Sequence, residues 1–131
     1  MTKNFWQYPN DTNKAISIMN GYFEAAKWTE GLESESVDIE SWHSAYEDCY
    51  SFVQKILKSE EYKKSSFIVE WDNQETMSRM GHDLWLTRNG HGAGFWDRPE
   101  IWGDCSDLFS DIARSMGEKY AYAENGKLFF E

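Results

Sequence analysis

The chain has 131 residues, 23 acidic against 13 basic for a net charge of -10, together with 7 Trp, 7 Tyr and 8 Phe. That length suits a single domain over residues 1–131, able to bury roughly two-thirds of its unfolded surface without metal or disulfide staples. The charge argues against direct DNA or RNA binding, since the one basic stretch, Lys55, Lys58, Lys63 and Lys64, is interrupted by Glu60 and Glu61.

Asp11, Thr12 and Asn13 supply capping side chains, and Ile16, Met19, Phe23, Ala26 and Trp28 recur at helical spacing, which predicts a helix over about 12–29 closed by Gly31. A polar, acidic linker follows. Asp38 then caps a second helix over about 39–59, with Trp42, Ala45, Cys49, Phe52, Val53 and Ile56 as its apolar stripe. Residues 60–80 are ambiguous: Ser66 to Trp71 reads as a short strand or a helix start, and Asp72 to Glu75 as the start of a helix running to Met80. Asp83 to Asn89 reads as a strand with Gly94 to Asp97 as its hairpin partner, ended by Pro99, which donates no amide hydrogen. A third helix over about 105–116 follows Gly103-Asp104, and a second hairpin joins Lys119–Ala123 to Lys127–Phe130 through Asn125-Gly126. The expected fold is α+β, three helices packed on an antiparallel sheet of about four strands in two hairpins. Cys49 and Cys105 fall on different predicted helices and read as two free thiols.

The run from Gly81 to Arg98, GHDLWLTRNGHGAGFWDR, concentrates two of the three histidines with Trp85, Trp96, Arg88 and Arg98. If Asn89-Gly90 is a two-residue turn, Arg88 faces His91, Leu86 faces Ala93, Leu84 faces Phe95 and His82 faces Asp97, while Trp85 on the other face covers Gly94 or Gly92. His82, Asp83, Arg88, His91 and Asp97 then include a general base, an orienting acid and a cationic stabiliser, with His82 oriented by Asp97. His82, His91 and Asp97 are also a conceivable metal set, but their spacing matches no zinc pattern, and neither a metal nor a cofactor is expected. Asn-Gly turn chemistry, glycine opposite tryptophan and a charged rim account for most of the same run without any chemistry. Gly90-x-Gly92-x-Gly94 lacks the strand-loop-helix context and the lysine of a phosphate loop. His43 reads as a surface histidine, and Tyr120, Tyr122, Phe129 and Phe130 as packing residues.

This run resembles the signature of a family of small, functionally uncharacterised proteins of tailed bacteriophages, in which Phe commonly stands where this chain has Leu84. Tyr22-Phe23-Glu24-Ala25-Ala26-Lys27-Trp28 is similar to a helix near the start of such proteins. The resemblance implies a phage or prophage origin and supplies no reaction.

Three function classes compete, of which a structural or assembly component of a virion or its lysis programme ranks last because the chain holds no repeat, coiled coil or membrane helix. The preferred expectation is an acidic accessory protein that binds and inhibits a host or anti-phage defence protein with a basic groove, as anti-CRISPR or anti-restriction proteins do, by competing with nucleic acid. Its partner-binding residues would be Glu40, Glu47 and Asp48 on one helix, Asp104, Asp107 and Asp111 at spacings of three and four near another, and Trp96 and Arg98 on the hairpin. The alternative is a small enzyme or nucleotide-signal binder using His82, Arg88, His91 and Asp97, favoured if a pocket forms beside them. No apolar run reaches the ~18–20 residues of a membrane span. Residues 1–6 lack the apolar core of a signal peptide, so a cytoplasmic protein without membrane contact is expected.

Overall fold

The computed structural model describes residues 7–131, with side chains from residue 11 onward, so the reading of residues 1–6 lies outside the described part. Helix α1 spans Gln7–Glu30 and buries Ala15, Ile18, Met19, Tyr22, Ala25 and Ala26. After it, β1 is the two-residue strand Ser36–Val37, and α2 spans Ile39–Lys58. Asp38 starts α2 by accepting a hydrogen bond from Ser41 N, and the apolar stripe Ala45, Cys49, Phe52, Val53 and Ile56 is buried along it. Ser59 caps the short α3, Glu60–Lys64, and Asn73 caps α4, Gln74–Arg88. A single 3-10 turn at Phe95–Asp97, the four-residue α5 at Pro99–Trp102 and a second 3-10 turn at Gly103–Cys105 lead into α6, Ser106–Ser115. Strands β2, Ala121–Glu124, and β3, Lys127–Phe130, close the chain.

The protein is therefore mostly helical, and the expectation of three helices on a four-stranded antiparallel sheet is overturned. Its sheet has three strands in the order β1-β3-β2, with β1 parallel to β3 and β2 antiparallel to it. The tight turn between β2 and β3 does use Asn125 at φ 52° and Gly126 at φ 77°, the left-handed pair that a two-residue hairpin demands. Strand β1 comes out of the acidic linker, where two residues are too few to leave a period.

The larger correction concerns Asp83 to Asn89, which are the last turns of α4 and its cap, not a strand. Asn89-Gly90 is a helix stop: Gly90 takes φ 69°, its N–H donates to Thr87 O at 3.2 Å, and His91 N–H donates to Leu86 O at 3.0 Å. These are the paired bonds of a Schellman termination. The same dipeptide chemistry serves hairpin turns and helix ends, and only tertiary packing decides between them. Gly94 to Asp97 accordingly has no strand to pair with, and none of the expected cross-strand pairs forms. Trp85 is buried as expected, at 1 % exposure, but its ring packs edge-on to Tyr22 and Phe130 rather than over a glycine. The space beside Gly94 belongs to Thr87, whose hydroxyl accepts from Phe95 N at 3.1 Å.

Helix α4 packs against α1 through a close backbone approach at two glycines. A Cβ on Gly81 would fall on the Ile18 carbonyl, and one on Gly21 on the Ser78 carbonyl. Two hydrogen bonds, Gln74 Nε2 to Ser17 Oγ and Trp85 Nε1 to Thr29 Oγ1, make the two helices run in the same direction, so both end on the same side. Replacing glycine by alanine inside an ordinary helix stabilises it by up to ~1 kcal/mol. Here the added methyl meets backbone that cannot swing away, and overpacking of ~1–3 kcal/mol or more outweighs that gain. Gly81→Ala is expected to lower the melting temperature, and a rise would contradict this crossing.

Candidate functional site

The common end of α1 and α4 forms the wall of an open cavity of about 530 Å3, lined by Trp28, Thr29, His82, Leu86, His91, Gly92, Ala93 and Arg98. Helix geometry explains the roster. His82 and Leu86 are four residues apart on α4 and share a face, Trp28 and Thr29 lie in the last turn of α1, and the Schellman stop turns the chain so that His91 to Ala93 cross the opening. Trp28 is 72 % exposed, with its ring 5.9 Å from that of His82 and tilted 36° to it.

Arg98 is held from behind. Its Nε lies 3.1 Å from Asp83 Oδ1, while Asp83 Oδ2 accepts from Trp102 Nε1 at 2.8 Å. Burial pushes the Asp83 carboxyl up from its ordinary range, against the opposing pull of the Trp102 hydrogen bond and the Arg98 charge. Asp83 is thus the ion-pair partner of Arg98, whose Nε makes no aligned hydrogen bond, and among the described residues no acceptor takes its Nη groups. His91 Nε2 is 3.9 Å from Glu30 Oε2, beyond hydrogen-bond reach. His91 also lines a second, more polar cavity of about 400 Å3 shared with Glu30, Asn89, Glu118, Lys119, Tyr120, Ala121 and Glu131.

Two of the expected site residues are spent on the fold. Arg88 is a core residue: it donates through Nη1 to Tyr22 Oη at 2.9 Å and to Asp48 at 2.7 Å, through Nε to Gly117 O at 2.8 Å, and through Nη2 to Met116 O at 3.0 Å. Asp97 accepts from Gly94 N at 2.9 Å, closing the 3-10 turn, and does not orient His82. Of the expected catalytic set, only His82 and His91 reach the cavity, with Asp83 one layer behind. Thr29 is engaged too, accepting from Trp85 Nε1 at 2.9 Å and donating to Ala26 O. Among the described residues, neither cavity histidine has a carboxylate within hydrogen-bond distance, and the Thr29 hydroxyl is engaged. Nor, among the described residues, does any group of three or more His, Cys, Asp and Glu side chains come together to hold a metal ion.

The cavity presents two imidazoles, a guanidinium edge, an exposed indole and apolar walls. The carbonyl end of α1 disfavours an anion here by ~0.3–1 kcal/mol, whereas a charge-assisted hydrogen bond from Arg98 contributes ~1.5–3 kcal/mol, so the guanidinium decides the sign. Trp28 and Leu86 escaped the sequence reading of the site: the spacing puts Trp28 with the apolar series of the first helix, whereas the structure leaves it 72 % exposed.

The acidic residues are divided. Glu40, Glu47, Asp104, Asp107 and Asp111 are exposed, with Asp104 accepting from Ser65 Oγ at 2.6 Å. Asp48 is the half-buried partner of Arg88 and lies 4.0 Å from Lys119 Nζ, so its place is structural. Trp96 is 43 % exposed on the 3-10 turn next to Arg98. Cys49 and Cys105 are both buried and unbridged. Among the described residues, no helix is long and apolar enough to cross a membrane. Comparison with protein-family models, with curated proteins and with solved structures finds no match.

Proposed function

We propose that the chain is a small binding protein whose working site is the cavity between the ends of α1 and α4, and that it holds there a ligand bearing an anionic group. The observation that carries this reading is a charge exception. In a chain with 23 acidic residues, none of the side chains lining this cavity is a carboxylate, while Arg98, His82 and His91 all face it. In the phage setting that the resemblance implies, such a protein serves to sequester a small molecule or cap a group on a host or defence protein, and so to inhibit it. A second reading keeps the acidic surface as the contact, because Glu40, Glu47, Asp107 and Asp111 are exposed and free to meet a basic groove.

The two readings rank mutants oppositely in a phage-defence inhibition assay. Trp28→Ala and His91→Ala, both outside the core, are expected to abolish inhibition. Glu40→Lys, Glu47→Lys, Asp107→Lys and Asp111→Lys combined are expected to leave it within a few-fold, with thermal melts verifying the fold of each. If the acidic set abolishes inhibition and the cavity set does not, the acidic reading replaces the one proposed.

A further inference from the structure

Resting on the reading of this cavity as a binding site, we infer that its ligand belongs to the nucleoside-phosphate class: a flat heteroaromatic ring placed against Trp28 and a phosphate placed on Arg98. Trp28 is the first ground. It leaves 72 % of its surface in water at the rim of a cavity, with one side of the indole against the His82 ring and no hydrogen bond of its own among the described residues. A tryptophan that served only to pack would be drawn inward, as Trp85 and Trp102 are at 1 % and 0 % exposure. The His82 ring is tilted 36° to the indole at 5.9 Å, and an exposed indole face accepts any flat ring.

Arg98 is the second ground. Asp83 lies 3.1 Å from its Nε as an ion pair without an aligned hydrogen bond, and among the described residues no acceptor takes the Nη groups of the planar fork. A planar fork with open Nη donors matches the oxygens of a phosphate. His82 and His91 add two further ring nitrogens along the same wall. Size is the third ground. About 530 Å3 lies within the roughly 300–1,000 Å3 that drug-sized ligands occupy, and a bare phosphate would leave most of it unfilled.

The test titrates the isotope-labelled full chain with adenosine monophosphate, uridine monophosphate, adenosine and inorganic phosphate, following amide NMR shifts and calorimetric affinity. At least one monophosphate is expected to bind ten-fold or more tightly than adenosine or inorganic phosphate, with shifts concentrated at His82, Leu86, His91 to Ala93 and Arg98. Trp28→Ala is expected to weaken the monophosphate ten-fold or more, to leave inorganic phosphate unchanged and to melt like the parent, and Trp28→Phe to retain most of the affinity. Cavity shifts with inorganic phosphate that are no weaker than those with the monophosphates, or a Trp28→Ala protein that binds them as the parent does, would overturn the nucleoside-phosphate assignment while leaving the cavity an anion site. If no probe shifts the cavity amides, both the assignment and the anion-binding reading beneath it fall.

Discussion

Arg88→Ala is expected to destabilise the protein by about 3–5 kcal/mol, the usual result of removing one partner from a buried ion pair. The size follows from what is left behind. Asp48, Tyr22 Oη and the carbonyls of Met116 and Gly117 all accept from this one side chain, which is 3 % exposed. Burial pulls the guanidinium down in pKa, but Tyr22 and Asp48 more than offset it, so the arginine stays charged and its loss orphans acceptors on α1, α2 and the segment after α6. Arg88→Lys should recover little, since a single ammonium cannot reach along the three directions that Nε, Nη1 and Nη2 cover. Denaturant unfolding checks this. A loss under 1 kcal/mol for the alanine variant would mean that Arg88 is not the clamp described.

Trp85→Ala carries an effect of similar size, about 3–5 kcal/mol, for a different reason. Trp85 sits at the meeting of Tyr22 and Phe130, with ring centroids 5.2 and 5.5 Å away, so truncation opens a cavity where α1, α4 and β3 converge. It also strips Thr29 Oγ1 of its donor in the wall of the binding cavity. Trp85→Phe separates the two contributions: most of the packing survives and the hydrogen bond alone is lost, at about 1 kcal/mol. If the alanine variant melts within two degrees of the parent, the core at this junction is not as described.

What the sequence disclosed depended on how each element is covered. Helix α2 was readable because one side faces water, so its apolar residues recur at helical spacing. Helix α4 was not, because α1, α6 and the 3-10 turn after it wrap its last turns, and Asp83 through Arg88 are all buried. A helix buried on every side has no stripe, and Gly81 looks like a breaker until the neighbouring backbone that needs it is known. The polar residues of the site were visible in the GHDLWLTRNGHGAGFWDR run, but a strand register sorted them wrongly. Arg88 and Asp97 were assigned chemistry and are structural, whereas Arg98 was given to a partner surface and lines the cavity. Trp28 lies 54 positions before His82 in the sequence, and only the glycine crossing of α1 and α4 brings their rings together.

The sheet order has a consequence for how the chain comes off the ribosome. Strand β3 is the centre of the sheet, yet it follows every other described element in sequence, and among the described residues both β1 and β2 pair only with it. Phe130 N–H donates to Ser41 Oγ at 3.0 Å, and the Phe130 ring completes the cluster around Tyr22 and Trp85. During synthesis at ~5–20 residues per second, α1, α2 and α4 therefore emerge and meet while one side of their shared core lacks its final wall. The nascent protein has to wait for residues 127–130 to clear the exit tunnel before that core can close, and any early stop in translation leaves an aromatic surface open to chaperones and proteases.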